Sequence, residues 1–164
     1  MARISFKSIL TLLVAALLLA ALPNVIRQFM QTGQFYPFSP QFFHDVLARL
    51  SGPGRLRFIF QPTVAILLGA RDGVKDARAG AIPYLQALFS RGSDRRGLLR
   101  SAGVSIQNLV MIAILLDIIS QYLIFHEVRP GAALLVGPVL IAIPYSVSRG
   151  LSNRIARRRM AKQG

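Results

Sequence analysis

The sequence contains no cysteine and no tryptophan, two histidines, and six acidic residues against twenty lysines and arginines. Without cysteine there are no disulfides, thiolate metal sites or cysteine nucleophiles, and the redox compartment is left open. His44 and His126 are far apart and too few for a metal centre, so no metal and no other cofactor is expected. Charge is scarce as well: 16% of the 164 residues are charged, where ordinary domains have ~25%. No internal repeat and no Gly/Ser linker divides the chain, which points to a single domain over residues 1–164.

What is present is apolar. Apolar residues make up 53% of the sequence and the mean hydropathy is +0.49. An apolar, strongly basic chain belongs either to nucleic-acid binders or to membrane proteins. Here the basic residues lie between long apolar runs, and the basic tail lacks aromatic residues to stack on bases. No nucleic-acid partner is expected, and the bilayer becomes the expected solvent.

Four apolar stretches stand out. The first, ILTLLVAALLLAAL, begins at Ile9 after Arg3 and Lys7. A basic start before an apolar core has the layout of a signal peptide. The following ALPNVIRQF lacks a clear cleavage site, and continuation to about Met30 gives the ~20 residues that cross a bilayer. An uncleaved span over about 8–30 is therefore expected. The second stretch, over about 55–70, is short and holds Pro62; the third, over about 104–125, spans comfortably; the fourth, over about 131–148, contains Pro138 and Pro144.

Cytoplasmic loops carry an excess of Lys and Arg. If all four stretches cross and the N-terminus is inside, only Arg27, Arg49, Arg55, Arg57 and Arg129 stay outside, and the other fifteen of the twenty basic residues lie inside. If the second stretch does not cross, the central basic loop (71–102) and the basic tail (149–164) leave the inner side. The expected fold is thus all-α and polytopic: four transmembrane helices, both termini cytoplasmic, in a membrane of bacterial inner-membrane style.

Two further segments are amphipathic. In SPQFFHDVLARLSG (39–52), Ser39 and Pro40 form a helix start and Gly52 a stop. Phe43, Val46, Leu47 and Leu50 recur at helical spacing, with Asp45, Ala48 and Arg49 on other faces. With Phe35, Tyr36, Phe38 and Phe42 nearby, this helix suits the outer interface or a position over the bundle ends. In IPYLQALF (82–89), Tyr84, Leu85, Leu88 and Phe89 make a stripe flanked by basic residues. Arg95, Arg96, Arg157, Arg158 and Arg159 are the expected contacts to anionic lipid at the inner surface.

The costly residue is Asp117, within ILLDIISQY. An aspartate deep in a membrane helix costs ~2.5–3.5 kcal/mol. At ~100° per residue, Gln107, Asp117 and Gln121 fall on one stripe, which should face protein. Expected partners are Arg57 and Gln61, one turn apart in the second stretch, or Arg27 in the first. Asp117 is then either a clamp that fixes helix packing or an ion- or proton-binding residue.

RDGVKDAR (71–78) resembles the opening of the CDP-alcohol phosphotransferase motif at Asp72, Gly73, Ala77 and Arg78, and that resemblance would imply acids holding a metal and a cytidine nucleotide. Three residues stand between Asp72-Gly73 and Ala77-Arg78 where the family has two, and the family's later aspartates are missing. Too few ligands remain, and the segment is expected to be a solvated short helix. In the fourth stretch, small residues including Gly137 allow close backbone approach, the prolines are expected to bend the helix, and Tyr145 to anchor it at the interface. HEVRPG, with His126, Glu127 and Arg129, is expected to be a solvated turn.

No catalytic constellation emerges. The expected role is an accessory or assembly subunit of a larger membrane complex, with anionic lipids and other membrane subunits as partners. The alternatives are a small transporter or proton conductor using Asp117, and, less supported, a lipid enzyme using Asp72 and Asp76.

Overall fold

The computed structural model describes residues 6–33, 36, 39–52, 55–90 and 94–162, the side chains of Gln28 and Thr32 excepted. Arg3, Phe35, Phe38 and Arg91, which entered the charge count and the aromatic cluster, lie outside the described residues. Among the described residues six helices follow one another: α1 (Phe6–Thr32), α2 (Pro40–Ser51), α3 (Arg57–Arg78), α4 (Tyr84–Phe89), α5 (Arg95–Phe125) and α6 (Pro130–Ala161). There is no strand among the described residues.

Among the described residues three helices, α1, α5 and α6, are long and apolar enough to cross a membrane. The structure thus supports three spans and not the four counted from the sequence. α3 has sufficient length, with 22 residues, but its composition differs. It contains Arg57, Arg71, Asp72, Lys75, Asp76 and Arg78. The helices also outrun the apolar stretches: α3 continues two turns past Ala70, α5 begins at Arg95, well before Val104, and α6 continues past Val147 to Ala161. Polar composition marks where a helix leaves an apolar solvent, not where it ends, so segments read as loop are helical.

The chain divides into two compact units, residues 1–59 with 108–139, and residues 60–107 with 140–164. In the first, α1, α5 and α6 contribute Val14, Ile114, Ile118 and Ala133 to a small apolar core, with Leu17, Leu18, Val110 and Met111 packed around it. Gly137 lets α6 approach α5 closely, since a Cβ there would stand 3.1 Å from the Ile114 nitrogen. α2 starts and stops as its sequence dictates. The Phe42 N–H donates to Ser39 Oγ (3.3 Å), Pro40 occupies the first turn and the Gly52 N–H closes the end on the Ala48 carbonyl.

α2 is turned inside out. Asp45 and Arg49 are 5% and 0% exposed, whereas Phe43 and Leu47 are 64% and 65% exposed. In water this would be the wrong way round, because fully buried charges are rare and exposed apolar patches mark a non-aqueous neighbour. The start of α3 follows the same pattern, with Arg57 buried and Leu56 and Ile59 exposed.

In the second unit, α3 lies against α6 through two glycines one turn apart. A Cβ on Gly69 would collide with the Tyr145 carbonyl, and one on Gly73 with the Arg149 carbonyl. This is the small-residue spacing by which membrane helices bring their backbones together. Ser148 Oγ donates to the Ile66 carbonyl at 2.7 Å across the same contact. α6 runs unbroken through Pro138 and Pro144. Replacement of Gly73 by alanine should force the two backbones apart at a cost of about 1–3 kcal/mol. Gly103→Ala, with nothing within 4 Å of the new Cβ, should leave the midpoint unchanged or raised. Thermal unfolding of the two variants in mild detergent provides the comparison.

Candidate functional site

The site is built around Asp117, 1% exposed on α5. Arg57, at the first turn of α3, brings Nη2 to 2.5 Å from Oδ1, a close ion pair without hydrogen-bond geometry. Arg49, from the buried face of α2, brings Nη1 to 3.5 Å from Oδ2. Gln121, one turn along α5, donates Nε2 to Oδ2 at 2.6 Å. Its carbonyl oxygen accepts the Arg129 backbone N–H at 2.7 Å, which fixes the amide orientation and ties the start of α6 to the site.

A second ion pair continues the network. Tyr36 Oη receives Arg49 Nη2 (3.4 Å) and donates to Asp45 Oδ2 (2.6 Å). Asp45 also pairs with Arg129, which lies 3.6 Å from the exposed Glu127. Burial, and then the bond to Asp45, pushes the Tyr36 phenol above its ordinary pKa. Each guanidinium also rests on an aromatic face: Arg129 on Tyr36 (4.5 Å), Arg57 on Phe58 (4.7 Å) and Arg49 on Phe125 (5.7 Å). Rings of this kind stabilise a cation where water is absent.

Of the residues singled out in the sequence, Asp117, Gln121 and Arg57 are brought together. Gln107 is exposed, so the stripe holds for two of its three members. Gln61 is buried with Nε2 unpartnered; both glutamines belong to the second unit. Arg27 is exposed and is not among the ion-paired arginines of the described residues. Arg95, Arg96, Arg157, Arg158 and Arg159 are all exposed, near the start of α5 and the end of α6. Sequence reasoning missed Arg49, Tyr36 and Asp45. The available signal was the i, i+4 spacing of Asp45 and Arg49 on the face of α2 opposite its apolar stripe.

The second unit holds another polar cluster. Arg149 forks onto Asp76, Nε to Oδ2 at 2.7 Å and Nη2 to Oδ1 at 3.1 Å, a bidentate pair. Tyr145 is fully buried and donates to Asp72 Oδ2 at 2.7 Å; it is a helix-to-helix contact and not the interfacial anchor expected. Asp72 and Asp76 are thus half-buried partners of α6 and not part of a solvated short helix. Tyr84, from α4, lies under Arg149 with its ring 4.8 Å away, and burial raises its phenol pKa. Asn153 Nδ2 donates to the Ala81 carbonyl at 3.2 Å. No group of three or more His, Cys, Asp or Glu that could hold a metal occurs among the described residues.

No family model, no curated protein and no solved structure matches this chain.

Chemically, the Asp117 arrangement stabilises helix packing and leaves its carboxylate little freedom. Breaking a buried ion pair from one side typically costs 3–5 kcal/mol, whereas replacing all its members by apolar groups of similar volume is often neutral. Asp117→Leu alone should therefore lower stability by about 3–5 kcal/mol. Asp117→Leu combined with Arg49→Met and Arg57→Met should recover most of that loss. Unfolding midpoints in detergent for the single and triple variants test this.

Proposed function

We propose that this chain is a non-catalytic integral membrane protein, an accessory or assembly subunit of a larger membrane complex. The observation that carries the reading is the engagement of Asp117 by Arg49, Arg57 and Gln121. The costliest residue of the membrane-facing sequence is used to join α2, α3 and α5. Arginine does not give up its proton at any physiological pH, so a carboxylate held this way is a poor proton carrier. The wide exposure of apolar side chains along α1, from Leu12 and Leu19 to Ile26, supplies surface for lipid and for other membrane subunits.

The proposed location is a bacterial inner membrane, with the basic end of α6 and the basic start of α5 at the cytoplasmic face. The charge distribution supports this orientation. Both termini on the cytoplasmic side would need a fourth crossing between α1 and α5, and among the described residues three helices are long and apolar enough to cross.

A second reading, a small transporter or proton conductor, draws on one observation. Polar contacts run continuously from Asp117 through Arg49, Tyr36, Asp45 and Arg129 to Glu127, whose side chain is 60% exposed.

Purification of the tagged chain from its native membrane in mild detergent separates the readings. Under the subunit reading, a constant set of membrane proteins accompanies both the wild type and the Asp117→Leu/Arg49→Met/Arg57→Met variant, and neither conducts protons in vesicles. Proton flux in the wild type that the triple variant abolishes would establish the second reading instead.

A further inference from the structure

Where the last turns of α3 and α6 meet, the second unit has an open groove of ≈ 350 Å³ lined by Val74, Arg78, Ser152, Ile155, Ala156, Arg159 and Met160. Its chemistry is divided. Val74, Ile155, Ala156 and Met160 provide an apolar wall, Arg78 and Arg159 provide two guanidinium groups, and Ser152 adds a hydroxyl. Among the described residues no acidic residue lines it. Both arginines are exposed, and neither forms an ion pair among the described residues. Arg149, further back along α6, is occupied by Asp76.

We propose that this groove binds the phosphodiester headgroup of an anionic phospholipid, with the first part of an acyl chain along Val74 and Ile155, which lie on the bilayer side of Arg78 and Arg159. The inference rests on the membrane reading above and adds a defined site to it. Two features of the protein favour a lipid over a soluble phosphate. First, α6 has 32 residues, ~48 Å at 1.5 Å per residue, which exceeds the ~30 Å of a hydrocarbon core. Its apolar portion ends near Val147, so Ser152 to Met160 emerge within the next four turns, at the bilayer surface where headgroups lie. Second, the apolar wall adjoins the two cations, a combination suited to a ligand with a charged head and a hydrocarbon body. The guanidinium fork matches phosphate oxygens, and Ser152 supplies an additional donor. Arg95, Arg96, Arg157 and Arg158 do not line the groove, so a local site is distinguishable from general attraction to a negative leaflet.

The test is native mass spectrometry of the full chain released from mild detergent, titrated with phosphatidylglycerol or with phosphatidylcholine. The expected result is one saturable phosphatidylglycerol adduct that phosphatidylcholine does not reproduce. Arg78→Gln with Arg159→Gln should weaken it about thirtyfold, the combined effect of two cations near an anionic headgroup. Arg78→Lys with Arg159→Lys, which keeps the charges and removes the forks, should bind more tightly than the double Gln variant and more weakly than the wild type, and Arg95→Gln with Arg96→Gln should leave binding unchanged. Unchanged helix content by circular dichroism accompanies each comparison. Equal binding of phosphatidylcholine, equal loss in the Arg95/Arg96 variant, no loss in the Arg78/Arg159 variant, or full displacement by inorganic phosphate would each overturn the site. A chain that stays dispersed in buffer without lipid or detergent would overturn the membrane reading itself and is separately recognisable.

Discussion

A carboxylate in an apolar helix must be neutralised, paired or protonated, and Asp117 is paired. Its oxygens face Arg57 on one side and Arg49 with Gln121 on the other. The guanidinium groups come from two helices and the carboxylate from a third, so the pairing dictates which faces of α2 and α3 turn inward. Once Arg49 and Arg57 point toward α5, Phe43, Leu47 and Leu50 on α2, Leu56 just before α3 and Ile59 on α3 must point outward. Such an arrangement has low energy only where the surroundings are as apolar as those side chains. In water the exposed apolar surface would be unfavourable, at roughly 25 cal/mol per Å². In lipid the same surface is solvated, and the charges are stabilised by one another and by the faces of Phe58, Phe125 and Tyr36.

The second unit follows the same logic with different residues. Gly69 and Gly73 remove the side chains that would hold α3 and α6 apart. The close approach brings Asp76 within reach of Arg149, and Asp72 within reach of Tyr145. Backbone proximity and charge pairing therefore reinforce each other: the glycines allow the distance and the ion pair fixes the register. Side chains alone, on helices a few ångströms further apart, would leave these groups unpaired and costly to bury.

Much of this was legible in the sequence. The all-helical character, the limits of α2 from Ser39, Pro40 and Gly52, and the meeting of Asp117 with Arg57 follow from periodicity, capping chemistry and the cost of an isolated charge. The illegible parts have physical causes. Arg49 was hidden because an amphipathic helix is ordinarily read with its charges toward water, and in lipid the sense is reversed. The true lengths of α3, α5 and α6 were hidden because apolar runs report the thickness of the solvent and not the end of the helix. Asp72 and Asp76 looked like solvated charges because the residue that engages Asp76, Arg149, lies more than seventy positions away. The span count was overdrawn for a related reason: charge counting assigns a side to each loop, while α3 carries Arg57, Asp72 and Asp76 into contacts with other helices.

The orientation of α2 tests this account most directly, and the absence of native cysteine makes it straightforward to label. Single cysteines at positions 43, 47 and 50 would each carry a nitroxide, in the chain reconstituted into phospholipid vesicles. Relaxation by oxygen, which concentrates in the hydrocarbon, and by a water-soluble nickel chelate would then be compared. The account predicts that all three labels are reached by oxygen and shielded from nickel. If labels at 43, 47 and 50 were relaxed by nickel as readily as an aqueous loop, α2 would lie in water, and the pairing of Asp117 with Arg49 would lose its physical basis.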